Sequence, residues 1–389
     1  MKTVGIICEY NPLHLGHQKQ IRLIREHYGP ECAIVCLMSG NFVQRGAPAV
    51  FDKSLRAKAA VLSGADLVLE LPLEYALSSA EGFAAGGVEI LSGFCEVLSF
   101  GTESGDRESL METAEVLLSP RFPEALREKL DEGLSFPVAR QAALETMNAP
   151  AVLLDRPNDI LAVEYCKAIM NQGSSLDVFP VIRQGNYHDL LPDRENRSAT
   201  SLRRCLASGE DWLSYVPTEA ADCFREARVH TLAAGERAVL ARLRSMTEGE
   251  FEALPYGNEG LWRKFMFAAR QYGTVEEILT AVKSKRYTRS RLDRMLLCAF
   301  LGMTAGDLAK KPPYIRVLAL NDRGRTVLKR ARQAGQFLNA GQIPTDAYWE
   351  TERRAGDLYG LFCNAGPERA GAEENRRVCY CPDATFGIS

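Results

Sequence analysis

Five histidines occur in 389 residues, and two of them, His14 and His17, stand three positions apart. Both lie in Asn11-Pro12-Leu13-His14-Leu15-Gly16-His17, a string that follows a short apolar run and opens a helical pattern. The start of a helix offers N–H groups with no intrahelical partner and the positive end of its dipole, which together suit a phosphate. Gly16 allows a backbone to come close where a side chain would obstruct. Imidazoles three residues apart share one face of the opening turn. As hydrogen-bond donors they can hold the non-bridging oxygens of a nucleotide while charge builds on a pentacovalent phosphorus. A zinc site would need further Cys or His ligands at suitable spacing, and none stands nearby. No metal-ligand set is therefore expected, and nucleotide binding is preferred to a pair of surface histidines.

Elements must hold that turn in place. The apolar runs 3–8, 32–38, 65–71 and 96–100 are continuous rather than alternating, and helical patterns at 15–27, 52–63 and 78–91 separate them. Such a series reads as βαβ units around a parallel sheet buried on both faces. Ligands of these sheets bind beyond the carboxyl ends of the strands, which directs attention to the residues after Cys8, Met38, Leu71 and Phe100. After Met38 the string SGNFVQRG brings Gly, Asn, Gln and Arg to that edge, with Gln44 and Arg45 as candidates for shaping a small pocket. From 105 to 172 the pattern is helical, and 176–181 returns as a strand. Beyond Pro217 helices dominate, one of them opened by Thr274-Val275-Glu276-Glu277 in capping-box form. A late strand is expected at 314–320, with a basic helix after it. The fold class is thus α/β: a Rossmann-like parallel-sheet domain over 1–215, then a mainly helical domain over 216–389. The tail from Gly366, rich in Gly, Glu and Arg, is expected to be loosely ordered.

Composition narrows the function classes. With 46% apolar and 25% charged residues the chain is globular, neither disordered nor fibrous. No apolar run approaches the roughly 18 residues of a membrane helix, and the run 4–8 is too brief for a secretion signal. A cytoplasmic protein is expected. Eleven cysteines, mostly in apolar runs, are expected to be buried thiols. The close pair Cys379 and Cys381 lacks the second half of a zinc site. Residues 1–220 hold 20 Lys and Arg against 30 Asp and Glu, whereas 221–389 hold 27 against 20. An acidic half followed by a basic half suits a polyanionic partner for the second.

His14-Leu15-Gly16-His17 has the HxGH form of the nucleotidyltransferase superfamily. The longer strings GIICEYNPLHLGH (5–17) and SGNFVQRGAPAVFDKSLRAKAAVLSGADLVLELP (39–72) resemble the tRNA(Met) cytidine acetate ligase family. SFGTESGD, RPNDILAVEY, IRQGNYHD, SATSLRR, VKSKRYTRSRLDRMLL and YIRVLALNDRGR extend the similarity to about residue 330. The resemblance implies a two-step ligation, in which acetate attacks the α-phosphate of ATP to give acetyl-adenylate and pyrophosphate. The N4 amine of the wobble cytidine in elongator tRNA(Met) then takes the acetyl group, yielding N4-acetylcytidine and AMP. It implies catalytic roles for His14 and His17, and ATP contacts at Ile7, Asn11, Pro12, Gly16, Gln20, Gly101, Asn158, Arg183 and Gln184. Ser198, Thr200 and Arg203 resemble the family's ISTTxxR motif, which meets the leaving phosphates, although Ala199 replaces a hydroxyl. Mg2+ is expected to escort ATP, and neither a membrane nor an obligate protein partner is implied.

The same residues read sensibly by themselves. Gly101 follows a strand, where a backbone can lie flat against a purine or ribose. Asn158, after Pro157, suits either helix capping or a nucleotide edge. Arg183 can grip phosphate bidentately, and Ser198 can cap a helix whose opening faces pyrophosphate. Lys283, Lys285, Arg286, Arg289 and Arg291 crowd one short segment around Tyr287. Clustered cations bind phosphates, and an interleaved aromatic can stack on a base. A second cluster runs from Arg323 to Arg332. Two rivals remain: a nucleotidyltransferase for a small phosphate ester, and a non-catalytic tRNA-binding adaptor.

Overall fold

The computed structural model describes residues 1–103, 105–182, 198–332 and 342–382, and the backbone of 337 and 338. Along the chain its strands are β1 (Thr3–Cys8), β2 (Ala33–Ser39), a separate hairpin of β3 (Phe42–Val43) and β4 (Ala47–Pro48), β5 (Leu67–Leu71), β6 (Val97–Thr102), β7 (Asp177–Ile182), β8 (Ile315–Leu320), β9 (Phe337–Leu338) and β10 (Cys379–Tyr380). In space the order is β10-β8-β5-β2-β1-β6-β7, with β9 beside β8. From β5 to β7 every pairing is parallel.

Continuous apolar strands belong where both faces are covered. Along β2 the side chains alternate between two cores. Ile34, Cys36 and Met38 join Val4, Ile6, Ile21 and Ile24 on one face, while Ala33, Val35 and Leu37 join Ile7, Phe83, Val88 and Val163 on the other. The period of two residues makes this division automatic, and both sets must be apolar because helices pack on each. The helix Leu15–Tyr28 lies on the first face and Ala80–Leu91 on the second. The chain leaves β1 toward β2 and β5, then returns to place β6 on the other side of β1. That reversal opens a crevice at the carboxyl ends of β1 and β6.

Beyond residue 216 helices form a third core around Val239, Phe265, Ile278, Leu296 and Phe362. The capping box at Thr274 and Glu277 is present. The expected late strand is β8, but it does not stay with those helices. It runs antiparallel to β5, and β9 and β10 both pair with β8, so the sheet of the first half draws three strands from the second. No helix among the described residues is long and apolar enough to cross a membrane.

The tail from Gly366 departs from expectation: as far as residue 382 it is built into the fold. Glu373 is fully buried, and Arg376 grips Asp52 with two contacts of 2.9 and 3.0 Å. Lys53 Nζ lies 2.6 Å from Glu70 and 3.1 Å from Glu373, and Arg316 pairs with Glu373 as well. Buried charges persist only when paired, and these tail charges find their partners in Asp52, in the helix Lys53–Leu62 that it caps, and on β8. Burial opposes ionisation of Asp52, yet the Arg376 guanidinium overrides it and holds the carboxyl down to about 2.

Candidate active site

After β1 the chain leaves the sheet at Tyr10, whose φ of 45° is left-handed. That conformation costs a residue with a Cβ roughly 1–2 kcal/mol. Burial pins it: Tyr10 is 1% exposed, and its hydroxyl lies 3.4 Å from Cys36 Sγ. Asn11 Oδ1 then accepts a 2.8 Å hydrogen bond from the Val50 amide. Below the turn sits Arg56, fully buried, which donates to the carbonyls of Glu9, Ser39, Gly40 and Phe51. One guanidinium thus ties together the carboxyl ends of β1 and β2.

His14 is the N-cap of the helix Leu15–Tyr28, and its Nδ1 accepts the Gly16 amide at 3.1 Å. His17 reaches back, so that its Nδ1 accepts the His14 amide at 3.2 Å. The pair forms a capping box made of imidazoles, with stacked rings whose centroids are 3.7 Å apart. A neutral imidazole that accepts at one nitrogen carries its proton on the other. Both rings therefore present Nε2–H donors. Gly16 makes the arrangement possible, since a Cβ there would stand 3.0 Å from His14 Cε1.

This corner borders a cavity of about 460 Å³ at the carboxyl ends of β1 and β6. Ile7, Asn11, His14, Gly16, His17 and Gln20 reach it from the first βα corner. Gly101 and Asn158 line the opposite side. Ser198, Thr200 and Arg203 come from the opening of the helix Ala199–Ser208. Pro12 is buried behind Asn11 and is not among the lining residues. Arg183 and Gln184 lie outside the described residues.

Local roles differ in places from the sequence reading. Gly101 belongs to β6, opposite Val181, rather than following the strand. Asn158 does not cap its helix: Arg156 holds that position, and the Asn158 amide donates to the Glu103 carboxylate. Ser198 is an N-cap as expected, accepting from the Ser201 amide. Arg203 donates to the Asn11 carbonyl at 2.8 Å and to Thr200 Oγ1 at 2.9 Å, so it links this helix opening to the histidine corner.

Lys19, Glu9, Glu103 and Ser290 also line the cavity, as do Gln44 and Arg45. Glu103 follows β6 directly, where the topology rule pointed. Lys19 sits two residues past His17, within the stretch Ile7 to Gln20 onto which the family's ATP contacts map. Ser290 had none, because 270 residues separate it from Gln20. It arrives because the loop after β2 docks on the helix Arg289–Leu301, where Arg294 donates to the Gln44 carbonyl. Gly46 is needed at that contact: its φ is 84°, and a Cβ would strike the backbone of Arg294.

The basic segment therefore meets the cavity near its end, at Ser290. Lys283, Lys285 and Arg286 are exposed. Arg289 is engaged with Glu276, at 2.6 and 2.8 Å, and with Asp293. Arg291 donates to the Tyr256 carbonyl and stacks on Tyr287. Tyr287 is 8% exposed, packed into the helical core, so its ring is not presented to a base.

The family model for HIGH nucleotidyl transferases matches residues 1–374. A tRNA(Met) cytidine acetate ligase of Acetivibrio thermocellus is 32% identical over 97% of this chain and 99% of its own length. One from Clostridium novyi is 36% identical over 86% and 88%. The crystal structure of Thermotoga maritima TmcAL bound with alpha-thio ATP superposes with a TM-score of 0.87 at 29% identity, covering 98% of this chain and all of that one. A corner of two imidazoles on a parallel sheet, and relatives that match from end to end, place this chain in the tRNA(Met) cytidine acetate ligase family of HIGH nucleotidyl transferases.

Proposed function

We propose that this protein activates acetate with ATP and transfers the acetyl group to N4 of the wobble cytidine of elongator tRNA(Met). The observation that carries the reading is the pair of Nε2–H donors, each fixed by a backbone amide at Nδ1, beside a cavity at the strand reversal. An acetate oxygen attacks the α-phosphorus, the bond to the β-phosphate oxygen breaks, and pyrophosphate leaves. His14 and His17 donate to the α-phosphate oxygens as charge grows there. One such preorganised donor is worth roughly 10²–10³ in rate. Thr200, Arg203 and the amides that open the helix Ala199–Ser208 receive the pyrophosphate. The cytidine amine then attacks the acetyl carbonyl, loses a proton, and AMP departs.

Gly101 and Asn158 take the nucleoside end of ATP, with Ile7, Asn11 and Gln20 beside the phosphates. Mg2+, when bound with the triphosphate, would neutralise part of its charge. It takes oxygen ligands and keeps several waters, so the Glu9 carboxylate of the cavity wall would suffice for the protein's share. For tRNA we favour Lys283, Lys285 and Arg286 as phosphate contacts. Arg289 and Arg291 hold the segment in shape through the bonds described above. A tRNA substrate is consistent with work in the cytoplasm.

The test is incubation with ATP, labelled acetate and bulk tRNA, followed by digestion to nucleosides. Labelled N4-acetylcytidine is expected. Adenylylation of a small phosphate ester with no labelled RNA would refute the proposal in favour of a small-substrate transferase, and tRNA binding without turnover would leave an adaptor.

A further inference from the structure

Far from the first cavity in sequence, two segments run side by side in antiparallel pairing, with His230 opposite Cys363. Three backbone bonds lock the neighbourhood: the His230 amide to the Val50 carbonyl, Thr231 to Phe362, and Asn364 to Val229. A ring nitrogen of His230, Cys363 Sγ and a carboxylate oxygen of Glu368 lie within 4.8 Å of one another. His230 and Cys363 are 2% and 3% exposed. His230 stacks on Tyr359 at 4.1 Å, which fixes the plane of its ring. Its Nε2 is 3.3 Å from Glu368, while Nδ1 is buried without a hydrogen-bond partner among the described residues.

The surroundings point to a cation. A cavity of about 340 Å³ adjoins His230 and Glu368, and Asp222 and Glu226 also border it, as does Asp52, whose charge Arg376 already meets. Arg228 reaches Glu368 from outside at 3.3 Å, but it is 62% exposed and can swing away. Nitrogen, sulfur and one carboxylate are the donor set of zinc and its neighbours, whereas magnesium and calcium take oxygens.

We propose that His230, Cys363 and Glu368 form a site for a zinc-class divalent cation, with water from the adjoining cavity as the fourth ligand. Binding forms a metal–sulfur bond and releases the Cys363 proton, so affinity falls as pH falls. The ion ties the loop after helix Ala347–Tyr359 to the segment that precedes helix Leu232–Ser245. The site stands apart from the ATP cavity and does not depend on the ligase reading.

Chelator-stripped full-length protein titrated with Co2+ and with Zn2+, against a chromophoric competitor, tests this. One equivalent should bind, and the cobalt form should show thiolate charge-transfer absorption. Cys363→Ser should abolish that band and weaken zinc by more than the roughly 10–100-fold that loss of an outer-shell partner costs. His230→Gln should do likewise, and Cys379→Ser/Cys381→Ser should change neither. The wild-type titration needs no variant to fold, and ATP-dependent adenylate formation checks that the variants do. No cobalt–thiolate band in the wild type, or a band that survives Cys363→Ser, would overturn the proposal.

Discussion

Gly16→Ala separates the chemistry of the histidine corner from its stability. The new methyl would stand 3.0 Å from His14 Cε1 and 3.1 Å from Nδ1, a few tenths of an ångström too close. The ring has to tilt, and its bond from the Gly16 amide weakens. For the helix the two effects nearly cancel. Alanine improves on glycine by up to about 1 kcal/mol, and losing an N-cap bond costs about 1 kcal/mol. For catalysis they do not cancel, because Nε2 lies at the far edge of the ring and swings with it. A displacement of about 1 Å at the reacting centre costs on the order of 100-fold, or roughly 2.7 kcal/mol of barrier. Acetate-dependent exchange of labelled pyrophosphate into ATP measures the adenylation step without tRNA, and thermal melting measures the fold. The expected result is about 100-fold slower exchange with an almost unchanged melting temperature. Exchange within a few-fold of wild type would refute the claim that the position of His14 sets the rate. A large loss of stability would show instead that Gly16 serves the fold.

Removing charge from Lys283, Lys285 and Arg286 together should weaken tRNA binding and reduce its log–log salt slope by about 2–3, with pyrophosphate exchange unchanged; filter binding across a salt series checks it. Arg56→Met leaves three buried carbonyls, and the partly buried one of Glu9, without this donor, at about 1–3 kcal/mol for each buried unsatisfied group, so urea denaturation should show a loss of at least about 3 kcal/mol. Burial, then the facing Glu352 carboxylate, pushes Glu74 up to about 8. A carboxyl whose folded pKa is raised contributes stability below its unfolded value near 4.3 and loses it as pH rises toward 8. Glu74→Gln should therefore match wild type in melting near pH 4 and exceed it increasingly toward pH 8; a constant difference would contradict this assignment.

Much of the site is local chemistry and was legible in the residues themselves. The order of continuous strands implied a parallel sheet, and a parallel sheet implied its ligand edge. The HxGH turn falls at that edge because it directly follows the first strand. What a string of letters could not reveal is which nitrogen of each imidazole carries the proton. That was decided by two backbone amides in the folded capping box. The long-range contacts were equally hidden. Ser290 joins the cavity wall only because the loop after β2 docks against a helix some 250 residues later. Tyr287, exposed by every local rule, is buried by the helical core, and Arg289 and Arg291 find partners that spacing does not disclose. The tail looked loose because its charges suggest solvent. As far as residue 382 it is built into the fold because Lys53, Arg316 and Asp52, all distant in sequence, complement those charges in the interior. Sequence patterns determine periodicity and turn chemistry, which depend on neighbours along the chain. Tertiary structure alone decides which charges are paired and which donors are aimed, since both depend on neighbours in space.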